Sequence, residues 1–167
     1  MLKYRAPWST RVTILTIVGT AALVGEAGLM WFLAARLPRL GGLPIAVAGG
    51  CLFVFLCCAL EAVRGYDFET GSLLIYRLIW TTRLSLEGLR SVVEDPHAVR
   101  ITAKGFGNGG LFAIWGWRHV VPYGWCRIFG TDPKRAVVLG GEDFHYIVTP
   151  DRPKDFAAEA RQWVLSA

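Results

Sequence analysis

The first sixty residues form two apolar runs separated by a short polar linker. Residues 12–35 carry one charge in 24 positions, and residues 43–63 carry one charge in 21. A helix needs about 20 residues to cross the roughly 30 Å of bilayer hydrocarbon, and backbone in lipid must satisfy its own hydrogen bonds. The linker RLPRLGG is rich in helix breakers. The pattern predicts a transmembrane helical hairpin within residues 1–63, with helices over the two apolar runs.

The pattern changes after residue 63. Short runs rich in branched and aromatic residues alternate with turn signals about every 8 to 12 residues, which is typical of an antiparallel sandwich or barrel. The predicted strands are YDFE, LLIYR, WTTRLSL, LRSVV, VRITA, WCRIF, AVVLG and FHYIVT. Between the last two, GGED is expected to form a hairpin turn. Residues 64–167 therefore predict a small β domain.

One amphipathic helix is predicted at the end of the chain, over about residues 152–165. Its apolar stripe consists of Phe156, Ala160, Trp163 and Val164. Asp151 is expected to cap the helix and Pro153 to lie in its first turn. Such a stripe has to cover something, and the open end of a small barrel is the expected place. The fold class predicted is an α+β membrane protein, with a helical hairpin before an antiparallel bent sheet or partial barrel that the last helix caps.

Lysine and arginine near the helix ends indicate the orientation of the hairpin. Lys3, Arg5 and Arg11 precede the first helix, and Arg64 follows the second, whereas the linker carries Arg36 and Arg39. This balance favours both termini in the cytoplasm. The alternative is a cleaved signal peptide with the same basic front, but the apolar run continues for eight residues past its candidate cleavage site at Ala27.

Charge does not predict a nucleic-acid partner. The net charge of +5 divides into +3 for residues 1–63 and +2 for residues 64–167. The chain is therefore basic mainly at the flanks of its apolar helices, and no basic cluster marks the β domain. The apolar content of 53% and the mean hydropathy of +0.40 agree with the membrane prediction. No nucleic acid is expected among the partners.

The segment KGFGNGGLFAIWGW contains the spacing G-x-G-x-x-G of dinucleotide-binding loops. Such a loop has to follow a strand and open a helix whose N-terminus meets the pyrophosphate. The residues that follow here contain Gly116, Pro122 and Gly124, which break helices, so no nucleotide is expected. We interpret the loop as structural, because glycine permits positive φ and close backbone approach and Asn108 tolerates the left-handed region. Its residues are Gly105, Gly107, Asn108, Gly109 and Gly110.

These residues resemble the bacterial pleckstrin-homology (PH) domain family. The resemblance is carried by FGNGGLFAIWGW, the RIFGTD segment, the AVVL strand and IVTPDRPKDF, and covers about residues 64–165. It is closest to the membrane-anchored type with two N-terminal transmembrane helices. It implies a seven-stranded, strongly bent sheet with a C-terminal helix, and no assigned activity. The first hairpin turn holds Glu69 and no base, which departs from the pattern of lipid-binding PH domains.

Several side chains are candidates for an interaction surface. Seven aromatic residues lie in residues 106–129, and strand alternation sends some of them outward. A candidate membrane-interface or partner surface consists of Trp8, Arg64, Trp115, Trp117 and Arg118. A second group of bases could form a basic rim: Lys104, Arg118, Arg127, Lys134 and Arg135. The alternatives are a barrel core for the aromatic side chains and an ordinary solvated surface for the bases.

Glu26 is the candidate for a contact within the membrane. It lies near the middle of the first apolar run, where a charge costs about 2.5–3.5 kcal/mol on insertion scales. The hairpin places it opposite Cys51 or Leu52, so it does not meet Glu61, which lies near the cytoplasmic end and is expected to reach water. A contact with a partner helix or a second copy is the favoured reading, and transport chemistry or no role are the alternatives.

The sequence predicts a non-enzymatic protein without a cofactor. His97, His119 and His145 show no metal-ligand spacing, and no nucleophile lies in a recognisable elbow, so no catalytic residue or metal site is assigned. We expect a multi-pass protein of the bacterial inner membrane whose domain binds a protein partner or itself at the cytoplasmic face. The alternatives are an accessory subunit of a membrane transport or enzyme complex, or a lipid-binding module.

Overall fold

The computed structural model describes residues 3–99 and 105–165. The helices are α1 (Thr10–Arg36), α2 (Leu43–Leu60) and α3 (Pro153–Leu165), with short 3-10 helices at Pro38–Leu40 and Pro133–Arg135. The strands are β1 (Tyr4–Arg5), β2 (Gly65–Glu69), β3 (Ser72–Tyr76), β4 (Thr81–Ser85), β5 (Leu89–Glu94), β6 (Gly105–Gly109), β7 (Ile114–Val120), β8 (Gly124–Gly130), β9 (Val137–Gly141) and β10 (His145–Val148).

The helices α1 and α2 form the predicted hairpin, and both are long and apolar enough to cross a membrane. Only 11% of the most apolar window of α1 and 6% of that of α2 are buried within the chain. Helix α2 ends at Leu60, before the predicted residue 63, because Val63 is buried in the β domain and the Arg64 amide donates to the Tyr76 carbonyl.

The strands form two sheets. The first has the order β1-β2-β3-β4, and the second has the order β5-β9-β10-β8-β7-β6. Together with the N-terminal helices and α3 they confirm the predicted α+β PH-like fold, with ten described strands where the resemblance implied seven. One pair differs from the antiparallel expectation, because the β9–β10 hairpin folds back and places β10 parallel to β8.

The turn signals in the sequence form the expected turns. Thr70 and Gly71 connect β2 to β3 with φ of 32° and 71°, as a tight hairpin requires. At the GGED turn the Gly141 amide donates to the Phe144 carbonyl over 2.8 Å. Strand β1 was not predicted, nor were β6 and β7, which contain the glycine-rich segment. The predicted strand VRITA falls mostly on residues 100–104, outside the described residues.

Helix α3 covers the main core of the β domain, as its stripe predicts. Phe156 and Ala160 are fully buried there beside Tyr66, and Trp163 and Val164 pack at the edge. The core also contains Tyr4 and Ala6, so chain from both sides of the hairpin builds the domain.

The prediction of Asp151 as the helix cap is wrong. Helix α3 begins at Pro153, and the Asp151 carboxylate instead accepts a hydrogen bond from the Arg5 amide over 3.2 Å. The Asp151 amide donates to the Arg5 carbonyl over 2.9 Å. The aspartate therefore ties β1 to the start of the last helix.

Removing the Tyr66 hydroxyl is expected to destabilise the core. The fully buried hydroxyl donates to the Phe129 carbonyl over 2.7 Å and accepts from the Thr149 amide over 3.2 Å. Tyr66→Phe removes this hydrogen-bond partner from both groups, so we expect the free energy of unfolding at pH 7 to fall by about 1–3 kcal/mol. Unfolding of the full chain in detergent measures the loss. Tyr76→Phe is the control, because the Tyr76 hydroxyl bonds to no described residue, and an equal loss there would contradict the prediction.

The same tyrosine makes stability depend on alkaline pH. Burial raises the pKa of Tyr66 from 10.0 to about 12. Because the folded state holds the proton more tightly, this contribution to stability is complete below pH 10 and is lost as the pH rises through 12. The wild type is therefore expected to lose stability more steeply than Tyr66→Phe across this window.

Candidate functional site

The base of the hairpin is packed into the β domain. Ser9 caps α1 by accepting from the Val12 amide over 3.3 Å, and its hydroxyl donates to the Thr131 carbonyl over 2.9 Å. Val12 itself is fully buried in a second core cluster with Ile128 and Val138. The first turn of α1 is thus a part of the domain core, which holds the domain against the two apolar helices.

The turn after β6 rests on both apolar helices. The Phe112 amide donates to the Thr16 hydroxyl of α1 over 2.9 Å, and the Phe112 ring lies edge-on to Phe55 of α2 with centroids 5.0 Å apart. Trp8 contacts the same ring at 6.2 Å. Leu111 lies so close to Gly19 that a Cβ there would come within 2.8 Å of its Cδ1. The β6–β7 turn is therefore a second point of attachment.

The glycines of β6 allow close pairing with β7. Gly107 and Gly116 lie directly opposite each other, with φ of 141° and 126°. A Cβ on either would come within 2.1 or 2.2 Å of a carbonyl oxygen on the opposite strand, and Gly105 would meet the Trp117 carbonyl at 2.2 Å. The segment is followed by strand β7, so its glycines serve strand pairing and not a helix N-terminus.

Asn108 has a different role from the one expected. It is not among the residues with positive φ, which in the described part of this segment are Gly107, Gly110, Phe112 and Gly116. Its side-chain oxygen instead accepts from the amides of Gly110 and Leu111, each over 3.0 Å. Asn108 therefore holds the turn through hydrogen bonds. Gly109 is less crowded than Gly107, because a Cβ added there would meet its nearest neighbour at 3.6 Å.

A cavity of about 270 Å³ lies between the end of α2 and the face of the second sheet. We call it the arginine pocket, and it is lined by Glu61, Arg77, Trp80, Thr82, Phe106, Trp115, Gly116, Trp117, Arg127 and Phe129. Arg77 follows β3, Arg127 lies on β8, and Glu61 follows the last residue of α2. The fold thus places two cations and one acid at the boundary between the hairpin and the domain.

Arg77 is the buried charge of this pocket, with a side chain that is 5% exposed. Its Nε donates to the Thr82 hydroxyl over 3.0 Å, and its Nη1 donates to the Glu61 carbonyl over 3.0 Å and to the Glu61 carboxylate. Burial lowers the pKa of Arg77, and the Glu61 carboxylate opposes that shift. Glu61, expected to reach water, is therefore largely engaged in an ion pair.

Arg127 is held by aromatic rings. Its guanidinium lies 4.9 Å from the centroid of Phe129 and 5.9 Å from that of Trp117, and Arg77 lies 5.4 Å from the same Phe129 ring. Among the residues that the structure describes, the Arg127 guanidinium has neither an acidic partner nor a hydrogen bond. The Trp115 indole nitrogen is also buried without a hydrogen-bond partner there. The pocket thus contains two arginines and one glutamate, so one positive charge is not balanced. It also contains hydrogen-bond donors that have no acceptor among the described residues.

Large apolar side chains are exposed around the pocket. Phe106 is 80% exposed and pairs across the ladder with Trp117, which is 49% exposed. On the other side, the turn after Arg77 exposes Leu78, Ile79 and Trp80. Contiguous exposed apolar side chains are more typical of interaction sites than of ordinary protein surface.

A second cavity, of about 480 Å³, lies along the hairpin, and we call it the hairpin groove. It is lined by Gly19, Ala22, Leu23, Glu26, Gly50, Cys51, Val54, Phe55 and Leu111. Glu26 is the charged residue among them, and its Oε1 is buried without a partner in the described residues. Cys51 lies across the same groove, as the hairpin geometry predicts.

The structure separates the residues expected to form one surface. It brings Trp115 and Trp117 to the arginine pocket and Trp8 to the base of the hairpin. Arg118 lies at the glycine loop, where its Nη2 donates to the Asn108 carbonyl over 3.4 Å. Arg64 is exposed at the start of β2. Sequence reasoning missed Arg77 and its turn as part of a site. The local signal was an arginine followed directly by three large apolar residues.

Histidine and cysteine form no metal cluster within residues 3–99 and 105–165. His119 lies edge-on to Trp125 with centroids 5.9 Å apart, and His145 lies near Tyr123. Cys126 is fully buried, and burial raises its pKa to about 11. A thiol in that state is a poor nucleophile.

Comparison with known proteins identifies the family of the β domain. Residues 64–164 match the family model described as Bacterial PH domain, which covers more than half of the chain. No curated protein and no solved structure matches. The matched range begins after the hairpin and includes Arg77, Arg127, the glycine loop and α3.

Proposed function

The chain belongs to the bacterial PH domain family, and we propose that it is a membrane-anchored, non-enzymatic interaction module of the bacterial inner membrane. Helices α1 and α2 cross the bilayer with both termini in the cytoplasm, and the domain lies at the cytoplasmic face. PH domains are in general interaction modules and not enzymes.

One observation carries the proposal: the domain is packed onto the hairpin and not merely tethered to it. Val12 is buried in the domain core, and the Phe112 amide donates to Thr16. A domain fixed in this way presents one constant face to the bilayer and holds the hairpin in a defined position relative to it. Both properties suit a protein that assembles with others in the membrane plane.

The hairpin groove is the proposed assembly surface, and a second copy of this chain is the proposed occupant. Ala22 and Gly50 allow close approach of a helix, and a Cβ added at Gly50 would meet nothing within 4 Å. A carboxyl group in an apolar groove needs a polar partner, and a protonated carboxyl both donates and accepts a hydrogen bond. Two Glu26 side chains related by a twofold axis can therefore satisfy each other.

Glu26→Leu is expected to abolish self-association, because leucine cannot form the hydrogen bond. Cross-linking in membranes followed by pull-down in mild detergent, with two differently tagged copies, measures the recovery of the second copy. Glu26→Gln is expected to retain most of it, since an amide both donates and accepts. Gly25→Ala is the control, because a Cβ at Gly25 meets nothing within 4 Å and Gly25 does not line the groove.

Undiminished recovery with Glu26→Leu would contradict the proposed role of the groove. Recovery of a different membrane protein, lost with Glu26→Leu, would contradict self-association and would support the alternative of an accessory subunit in a larger membrane complex.

A further inference from the structure

We propose that the arginine pocket binds the phosphate group of an anionic membrane phospholipid. The inference rests on the proposed function, because only a membrane-spanning hairpin brings the pocket to the level of the headgroups. It assigns a ligand class to residues that neither the glycine loop nor the hairpin groove uses.

Charge is the first argument. The charge of Arg77 is compensated by Glu61, whereas the Arg127 guanidinium has no acidic partner and no hydrogen bond among the described residues. A guanidinium presents its donors as a rigid fork that matches the oxygens of a phosphate group. Trp115 also lines the pocket, and its indole nitrogen is a buried donor without a hydrogen-bond partner among the described residues. The pocket therefore supplies donors and positive charge, which an anion with several acceptor oxygens satisfies.

Position is the second argument. Glu61 follows the last residue of α2 and lines the pocket, and its backbone carbonyl accepts from Arg77. The pocket therefore opens where the hydrophobic span ends. In a bilayer the phosphates lie at this level, just outside the hydrocarbon layer of about 30 Å.

The rim of the pocket favours a lipid over a free anion. Among described residues after the hairpin, eight large apolar side chains are exposed, and five of them lie at the pocket or in its adjoining turn. These five are Leu78, Ile79, Trp80, Phe106 and Trp117. Tryptophan is favoured at the membrane interface, and apolar side chains around a charged pocket complement a ligand with a charged head and acyl chains.

The first hairpin turn does not offer the same chemistry. The cavity beside Thr70 and Gly71 is lined by Glu87 and by no lysine or arginine. Glu69 in the same hairpin pairs with Arg83, and both side chains are more than half exposed. A phosphate group is therefore better accommodated at the arginine pocket.

Arg127→Gln tests the proposal in the full chain, purified and delipidated in a nonionic detergent. Dioctanoyl phosphatidylglycerol is titrated in, and binding is followed by tryptophan fluorescence, since Trp80, Trp115 and Trp117 line the pocket. We expect the substitution to weaken binding by about tenfold or more, because charge-assisted hydrogen bonds are lost. Arg127→Lys keeps the charge without the fork and is expected to bind with intermediate affinity.

Arg90→Gln is the matched control, since Arg90 is 66% exposed and lies outside the pocket. It is expected to bind like the wild type, and circular dichroism verifies that the Arg127 variants are folded. Dioctanoylglycerol, which lacks phosphate, is expected not to bind. If wild type and Arg127→Gln bind the lipid with equal affinity, the arginine pocket is not the binding site. If inorganic phosphate binds as tightly as the lipid, the ligand is a free anion and not a phospholipid.

The anchor is tested separately by alkaline carbonate extraction of cell membranes. Release of the chain with lipid binding intact in detergent would contradict the membrane anchor and would remove the basis for a lipid ligand. If the chain stays in the membrane fraction but Arg127→Gln binds the lipid as tightly as the wild type, only the proposed binding site is contradicted, and the membrane anchor stands.

Discussion

Gly107→Ala is expected to lower the free energy of unfolding by about 4 kcal/mol, by overpacking and backbone strain together. The added Cβ would come within 2.1 Å of the Trp115 carbonyl oxygen and 2.7 Å of the Gly116 Cα. Both atoms belong to the backbone of β7, so no side chain can move aside. The φ of 141° adds strain, because side chains other than hydrogen disfavour that region.

The effect is expected to reach the hairpin as well as the sheet. Forcing β6 from β7 displaces the turn that carries Leu111 and Phe112, which contact Gly19 and Thr16 of α1. The domain would then lose its second attachment to the two apolar helices. Thermal unfolding in detergent measures the stability, and limited proteolysis reports the release of the turn.

Gly109→Ala is the control for Gly107→Ala, because it lies in the same strand and its Cβ would meet Arg118 Nη2 at 3.6 Å, an ordinary contact. Its effect is expected to stay below about 1 kcal/mol. A Gly107 variant as stable as the Gly109 variant would show that the two strands can separate without cost.

Glu61→Gln is the second substitution with a large expected effect, about 3 kcal/mol of lost stability. It removes the carboxylate that compensates Arg77, whose side chain is only 5% exposed. The Glu61 side chain is 26% exposed, so water screens part of the loss and the effect is expected at the lower end for a buried pair. Chemical unfolding of the full chain in detergent measures the difference.

Two further variants separate the buried charge from a general effect of removing an acid. Glu69→Gln breaks an ion pair with Arg83 in which both side chains are more than half exposed, and it is expected to change stability by less than about 1 kcal/mol. The double variant Glu61→Gln with Arg77→Met removes both charges and is expected to recover part of the loss. A single variant no worse than Glu69→Gln would contradict the assigned role of the pair.

Several features of the protein could be read from local sequence. The helical hairpin follows from two uninterrupted apolar runs, because the length that crosses lipid is a property of consecutive residues. The turn at Thr70-Gly71 and the apolar stripe of α3 follow from turn chemistry and helical periodicity. The glycine segment could be separated from a nucleotide loop because the residues after it cannot form a helix.

The sites depend on contacts between distant residues. Arg77 meets Glu61 across 16 positions, and the Phe112 amide meets Thr16 across 96. No periodicity records such pairs, so Arg77 was missed and Arg127 was seen only as one base of a diffuse rim. Asn108 was assigned a backbone role because its side-chain partners lie in the turn that the fold creates.

By itself, the sequence determined the three α-helices, seven of the ten described strands and the resemblance to the PH family, because each of these depends on neighbouring residues and their order. The tertiary structure alone placed β1 in the domain, paired β10 with β8 in parallel, and brought two arginines onto one phenylalanine ring. These features depend on burial and on the exclusion of backbone clashes between strands. Such forces act only after remote parts of the chain have come together.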